Sequence, residues 1–262
     1  MIQLKTDQEL KIMEKGGRIL NTVMEILLQN VKAGVKLSEL DSLAENKIRS
    51  FGAKPSFQEV PDYDWTICAC VNDVVVHGIP DDYEIKNGDV VGIDCGVYYE
   101  GFHTDASWTV HVRPGKSDRN EKIEKFLSCG EKALIEAINQ VKISNRIFDV
   151  SQSITSNIES AGYSVVRSLV GHGIGRDLHE EPEIPGKVKS KRLDTPEITQ
   201  GMALAVEVIY NMGSHHIKYR KNDKWTIYTE DGKISGLFEA TVAVTSHGVI
   251  LLTKNYGTSG NN

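Results

Sequence analysis

Val90-Val91-Gly92-Ile93-Asp94-Cys95-Gly96-Val97-Tyr98-Tyr99-Glu100-Gly101-Phe102-His103-Thr104-Asp105 opens a segment, residues 90–112, that reads as a β-hairpin, with runs rich in Val, Ile and Tyr meeting near Glu100-Gly101. Its acids are the anomaly. Asp94 stands in the apolar run Val90–Cys95, where a buried carboxylate is costly unless it is paired, hydrogen-bonded or bound to a metal. A two-residue loop at Glu100-Gly101 places Phe102 opposite Tyr99, so position 107 faces 94 and Asp105 lies diagonally on the same face. Moving the loop back to Tyr99-Glu100 puts Asp105 directly opposite Asp94, whereas a three-residue loop reverses the parity. In both two-residue registers the carboxylates repel at close range, and a cation between them relieves the repulsion.

The same anomaly recurs downstream. Glu207 sits in Met202-Ala203-Leu204-Ala205-Val206-Glu207-Val208-Ile209, and Glu239 in Leu237-Phe238-Glu239-Ala240-Thr241-Val242. A salt bridge would explain one such acid. Three in separate apolar runs, with no basic residue interleaved, point to a shared positive centre. Gly171-His172-Gly173-Ile174-Gly175 flanks an imidazole with glycines, which suits close backbone approach and a ligand held on a tight loop. His179 follows in Leu178-His179-Glu180-Glu181-Pro182, and His77 lies in Val76-His77-Gly78-Ile79-Pro80, just after a strand; singly, each histidine reads more simply as structural or surface. Together, Asp94, Asp105, His172, Glu207 and Glu239 give four carboxylates and one imidazole. That set is too oxygen-rich for structural zinc and suits two divalent ions, Co, Mn, Fe or catalytic Zn. Two such ions can activate a water while polarising a carbonyl, which points to hydrolysis.

Outward from the hairpin, Thr6 with Glu9 reads as a capping box opening a helix over about 7–30, with Leu10, Met13, Leu20, Met24 and Leu27 along its apolar stripe. Ser38 with Asp41 is a weaker version of that signal, for a second helix to about Phe51, and a strand-like run follows at Thr66–Val71. The order then repeats: Ser117 or Asp118 caps a helix to about Val141, and another spans about 147–161, stopped by Gly162. Strand-like runs return at Val165–Leu169, Met202–Tyr210, Trp225–Thr229, Leu237–Thr245 and Val249–Leu252. Two helices then strands, twice over, predicts an α+β domain of two related halves, about 1–112 and 113–254, with merged sheet faces and helices outside. Glu181–Gln200 reads as an exposed loop, and residues 255–262 as a flexible Gly/Ser/Asn tail. The basic residues from Lys187 to Arg192 read most simply as a solvated face, with a ribosome contact as the second reading.

The 262 residues, 40% of them hydrophobic, can bury a substantial core. A formal charge of −6 argues against DNA binding, which needs a basic surface to displace counterions. No apolar run is long enough for a membrane span, and Met1–Glu14 lacks the apolar core of a signal peptide, so a cytoplasmic protein is expected. Cys68, Cys70, Cys95 and Cys129 follow no zinc or redox spacing and read as reduced thiols.

Three segments carry a resemblance to a known family. They are Cys68-Ala69-Cys70-Val71-Asn72-Asp73-Val74-Val75-Val76-His77-Gly78-Ile79-Pro80, Ile93-Asp94 through Gly101-Phe102-His103-Thr104-Asp105, and Gly171-His172-Gly173-Ile174-Gly175 continuing to His179-Glu180-Glu181-Pro182. In this order and spacing the chain resembles the short type I methionine aminopeptidases from about Leu4 to Thr253. The resemblance implies the pita-bread fold, in which a pseudo-two-fold pair of αβ halves buries a dinuclear site in a curved antiparallel sheet. It implies Asp94, Asp105, His172, Glu207 and Glu239 as ligands, and removal of the initiator methionine from nascent polypeptides with a small second residue. In the family's mechanism a water held between the ions attacks the first peptide carbonyl and the carboxylate matching Glu207 takes its proton. The histidine matching His179 stabilises the tetrahedral intermediate, and that matching His77 assists near the scissile amide. Tyr63, Cys68, Leu178 and Trp225 match residues lining the methionine pocket, and Asn72, Val74 and Ser235 match a monovalent-cation site of some members. A monomer is expected. The chain departs from the family at Val60, where tyrosine is usual, at Leu178, usually aromatic, at Val208, usually proline, and at Ala240, usually histidine.

Two other readings stay open. One is another pita-bread peptidase, proline-directed, although those typically carry a large additional N-terminal domain. The other is a non-catalytic binding protein on the same fold, which would be expected to have lost ligands that are all present here.

Overall fold

A computed structural model describes residues 1–112, 117–188, 190–254 and 256, so the tail expected after Tyr256 lies outside the described residues. The chain starts with α1 (Asp7–Asn30) and α2 (Leu37–Ser50). Thr6 caps α1 through the expected reciprocal box with Glu9, and Leu10, Met13, Leu20, Met24 and Leu27 are buried along one face. The cap of α2 differs from expectation. Lys36 is its N-cap and donates its backbone N–H to Glu39, while the Ser38 hydroxyl turns to Asp82. Asp41 instead accepts the backbone N–H groups of Thr66 and Ile67, anchoring the start of a strand.

Strands β1 (Lys54–Pro55), β2 (Ile67–Val71), β3 (Val74–Val76), β4 (Val90–Tyr99) and β5 (Phe102–His111) follow. The helix pair recurs as α3 (Asp118–Ile138), capped by Ser117, and α4 (Ile147–Ser160). Next come β6 (Ser164–Val165), β7 (Val170–Gly173), β8 (Glu180–Pro185), β9 (Ala203–Asn211), β10 (Ile217–Tyr219), β11 (Ile227–Thr229), β12 (Ser235–Thr245) and β13 (Gly248–Leu251). Two expectations fail here. The run Val165–Leu169 is strand only at its start. The first residues of the expected loop Glu181–Gln200 pair as β8 with β7, because tertiary pairing overrides local polarity. Lys187 and Arg192 of the basic run pair with Glu159 and Asp149.

The main sheet runs β1-β4-β5-β12-β9-β7-β8, antiparallel throughout, with β2 on β4, β6 on β9 and β13 on β12; β10, β11 and β3 form a separate small sheet. The halves join at β5–β12, where Glu239 pairs Ser107 and Ala240 pairs Ala106. One face takes the helices, α1 lying across β4 and β5 and α3 across β12 and β9. Alternation sends Ile93, Cys95, Val97, Ala106, Trp108, Leu204, Val206, Val208, Phe238, Ala240 and Val242 into that core. The intervening residues point to the opposite face, where the acids lie. Val208 and Ala240, two departures from the family pattern, are therefore core residues behind the sheet.

Gly17 lets α1 touch the sheet's end, since a Cβ there would lie 2.1 Å from the Leu252 carbonyl oxygen. Gly17→Ala is expected to destabilise the fold by about 1–3 kcal/mol through overpacking, read by urea unfolding.

Candidate metal centre and active site

The hairpin turns at Glu100-Gly101, both residues at positive φ, and Tyr99 pairs Phe102, so Asp94 faces Ser107 and Asp105 lies diagonally. The first of the two-residue registers is the one formed. A single row then crosses the sheet: Cys68 pairs Asp94, Asp94 pairs Ser107, Ser107 pairs Glu239 and Glu239 pairs Glu207. A second row lies two residues along. Asp105 and Thr241 exchange hydrogen bonds through the threonine hydroxyl, Thr241 pairs Ala205, and Ala205 pairs His172. All five proposed ligands thus project from one face within two adjacent rows.

His172 sits on β7 rather than on a loop, where the register between β7 and β8 shifts. Its glycines serve contact with neighbouring strands: a Cβ at Gly171 would lie 2.6 Å from the Ala205 carbonyl oxygen, and one at Gly173 2.2 Å from that of Glu181. The ring's Nδ1–H donates to the Gly173 carbonyl at 2.8 Å, which leaves Nε2 with its lone pair free to bind a cation.

The electrostatics are one-sided. Asp94, Asp105 and Glu239 are each less than 10% exposed, and among the described residues no Lys or Arg forms an ion pair with any of the four acids. Burial first, and then the neighbouring carboxylates, pushes Asp105, Glu207 and Glu239 well above the ordinary carboxylate range; burial also raises Asp94. The Oδ1 atom of Asp94 is buried with no hydrogen-bond partner. Ligand atoms of Asp105, His172 and Glu239 all lie within 4.8 Å of one another. A buried orphan oxygen, a lone-pair-bearing imidazole and unpaired acids fit divalent cations well.

These groups floor a cleft of about 900 Å³, measured out to its open mouth, which also takes in His77, His179, Tyr63, Cys68, Leu178 and Trp225. Every residue singled out for catalysis or methionine binding therefore faces one space. Tyr63 meets Trp225 edge to face at 5.2 Å and donates its hydroxyl to the Ile67 carbonyl at 2.9 Å. Trp225 donates its indole N–H to the Asp62 carbonyl and stands 6.3 Å from the His77 ring. The His77 backbone has φ 54, a left-handed conformation that aims its side chain after β3. His179 stands 4.5 Å from the His172 ring, centroid to centroid. Burial lowers the pKa of His77, to about 4, and of His179, so each is neutral near pH 7.

Several contributors escaped sequence reasoning. Phe57, Leu169 and Ile209 line the cleft, Ser107 donates to Glu239, and Thr241 braces Asp105. Ser107, Thr241 and Ile209 sit two residues from an identified acid and were accessible to period-two reasoning; Phe57 and Leu169 lie outside any strand. At the monovalent-cation positions, Ser235 donates its backbone N–H to the Asn72 carbonyl, so these two residues meet, with Val74 close by in sequence.

The profile of metallopeptidase family M24 matches residues 11–246. The chain is 41% identical to a methionine aminopeptidase of Clostridium perfringens over 97% of this chain and 99% of that one. It is 39% identical to methionine aminopeptidase 1 of Bacillus subtilis over 97% and 100%. The crystal structure of the Thermotoga maritima methionine aminopeptidase superposes with TM-score 0.90 at 32% identity, covering 97% and 100% of the two chains. A prolidase from Pyrococcus horikoshii shares the fold alone, at TM-score 0.77 and 22% identity over 64% of its length. The chain belongs to metallopeptidase family M24 and, within it, to the methionine aminopeptidases.

Proposed function

We propose that the protein removes the N-terminal methionine from nascent polypeptides and peptides with a small second residue. The observation that carries this is the cleft itself, with unpaired acids on its floor beside an aromatic and aliphatic wall and two neutral histidines. Asp94, Asp105, His172, Glu207 and Glu239 would hold two divalent ions, the first two supplied by the first half of the chain and the others by the second. When bound, such ions polarise a peptide carbonyl and make water acidic enough to attack at neutral pH.

The chain's own groups do the rest. Tyr63, Phe57, Cys68, Leu178 and Trp225 enclose an unbranched thioether, whose polarisable sulfur suits aromatic edges. Leu178 and Val60, in place of bulkier aromatic residues, leave the wall aliphatic on those sides. Glu207 would accept the proton of the attacking water, its carboxylate lining the cleft beside that of Glu239. His179 donates a ring N–H to the carbonyl oxygen as negative charge develops there, and His77 does the same work near the scissile amide. Being neutral, neither adds a positive charge that would repel the substrate's α-ammonium.

Asn72, Val74 and Ser235 would hold a monovalent cation through backbone oxygens. An initiator methionine is met on chains leaving the ribosome, so the enzyme would work in the cytoplasm, and a monomer is the expected state. No helix among the described residues is long and apolar enough to cross a membrane.

With added Mn, Co or Fe, the protein is expected to cleave Met-Ala-Ser and to leave Met-Lys-Ser intact, followed by chromatographic release of methionine. Release only of residues preceding proline would replace this substrate assignment with the proline-directed one. Correct folding with no cleavage under any divalent metal would favour a binding protein.

A further inference from the structure

Outside the cleft the strongest feature is a buried ion pair between residues 175 positions apart, Lys5 just before α1 and Glu180 at the start of β8. Both side chains are only 1% exposed. Lys5 is fixed from three sides: its ammonium meets Glu180 and donates to the Gln3 carbonyl, and its backbone N–H donates to the Gly201 carbonyl. Glu180 uses its other oxygen to accept the backbone N–H groups of Arg176 at 2.7 Å and Asp177 at 3.3 Å. That carboxylate therefore closes the loop 175–180, which carries Leu178 and His179 into the cleft. Gly175 leaves room for the arrangement, since a Cβ there would lie 2.1 Å from Lys5 Cε. The other charges close to Lys5 are Arg176 and Glu9, which pair with each other at the surface.

A buried charge pair seldom adds net stability over an apolar packing, so a pair placed behind a working loop asks for another reason. We propose that Lys5 is a positioning residue for His179, its ammonium holding Glu180 in the one place from which the carboxylate can cap the loop. Without the ammonium, Glu180 is left an uncompensated buried charge and turns toward water, and the two backbone N–H groups lose their charged acceptor. His179 then drifts from the developing oxyanion, and misplacement of about 1 Å costs on the order of 10²-fold in rate. The inference rests on the aminopeptidase reading, since only there does His179 have an oxyanion to meet.

The test is a double-mutant cycle on Met-Ala-Ser with Mn-loaded enzyme: wild type, Lys5→Met, His179→Ala and the double variant. Lys5→Met is expected to lower kcat by about 10- to 100-fold with KM nearly unchanged and metal content equal to wild type. In the His179→Ala background the same substitution is expected to change kcat less than about twofold, because the group it positions is gone. Equal losses in both backgrounds, or a change confined to KM, would overturn the inference, since a merely structural role gives additive effects. If Lys5→Met fails to fold, Glu180→Gln goes through the same cycle, with the same outcomes deciding; it keeps the size and an acceptor oxygen but not the charge. An active wild type matched by Lys5→Met would sink this inference alone, whereas an inactive wild type would sink the aminopeptidase reading and this inference with it.

Discussion

Stripped of divalent ions by a chelator, the protein is expected to lose all hydrolysis of Met-Ala-Ser and to unfold at a lower temperature near neutral pH. The cause lies in the acid rows. Three buried carboxylates and the half-buried Glu207, with no Lys or Arg partner among the described residues, bind protons more tightly in the folded chain than in the unfolded one. Asp94 marks the window, raised from an ordinary 3.8 up to about 7. A raised carboxyl pKa means that the metal-free fold loses stability as pH climbs through this window and regains it as pH falls. Cations replace those protons, so loaded and stripped protein should differ most near neutrality and converge as acid is added. At a hundredfold excess over Kd each ion contributes about 2.7 kcal/mol, or very roughly 5–10 °C of melting temperature for a chain of this size. Calorimetry of chelated and Mn-loaded protein across pH measures this. Identical melting curves and retained activity after chelation would remove the basis for the cation site.

His179→Ala is expected to lower kcat by about 10²–10³-fold, the usual cost of deleting one oxyanion donor. Its ring lies in the cleft beside His172 but outside the tight group of ligand atoms formed by Asp105, His172 and Glu239. The two histidines differ in what their rings face. The Nδ1–H of His172 is engaged by a backbone carbonyl, leaving Nε2 for a cation, whereas burial keeps His179 neutral and its N–H available to substrate. Metal content, measured by elemental analysis, should therefore match wild type. A variant that lost metal would show that His179 is a ligand, and the roles of the two histidines would have to be redrawn.

Much of the site was readable along the chain, because burying a carboxylate is costly enough to make an acid in an apolar strand stand out. Asp94, Glu207 and Glu239 could be picked out one by one, and in the structure alternation sends their neighbours to the opposite, helix-facing side. Asp105 was readable only as far as the hairpin turn allowed. The choice between two registers fell to Glu100 and Gly101, which take up the positive φ values that turn requires. The pairing of β8 against β7 was hidden, since residues 180–185 alternate charge and proline and show no local preference for a strand.

Taken alone, the amino-acid order picked out the acids and histidines that line the cleft, placed Asp94 and Asp105 on one face of their hairpin, and pointed to a shared positive centre. Those properties follow from period-two geometry and desolvation, both of which act over a few residues. Only the tertiary structure decided that Glu239 meets Ser107 across the join between the halves, that His172 stands on a strand, and that Lys5 lies beneath the loop of His179. The first and last of these contacts link residues more than a hundred positions apart, and His172 pairs with Ala205 on a strand not adjacent to its own in sequence; their register is set by closure of the whole sheet and core, which no local pattern encodes.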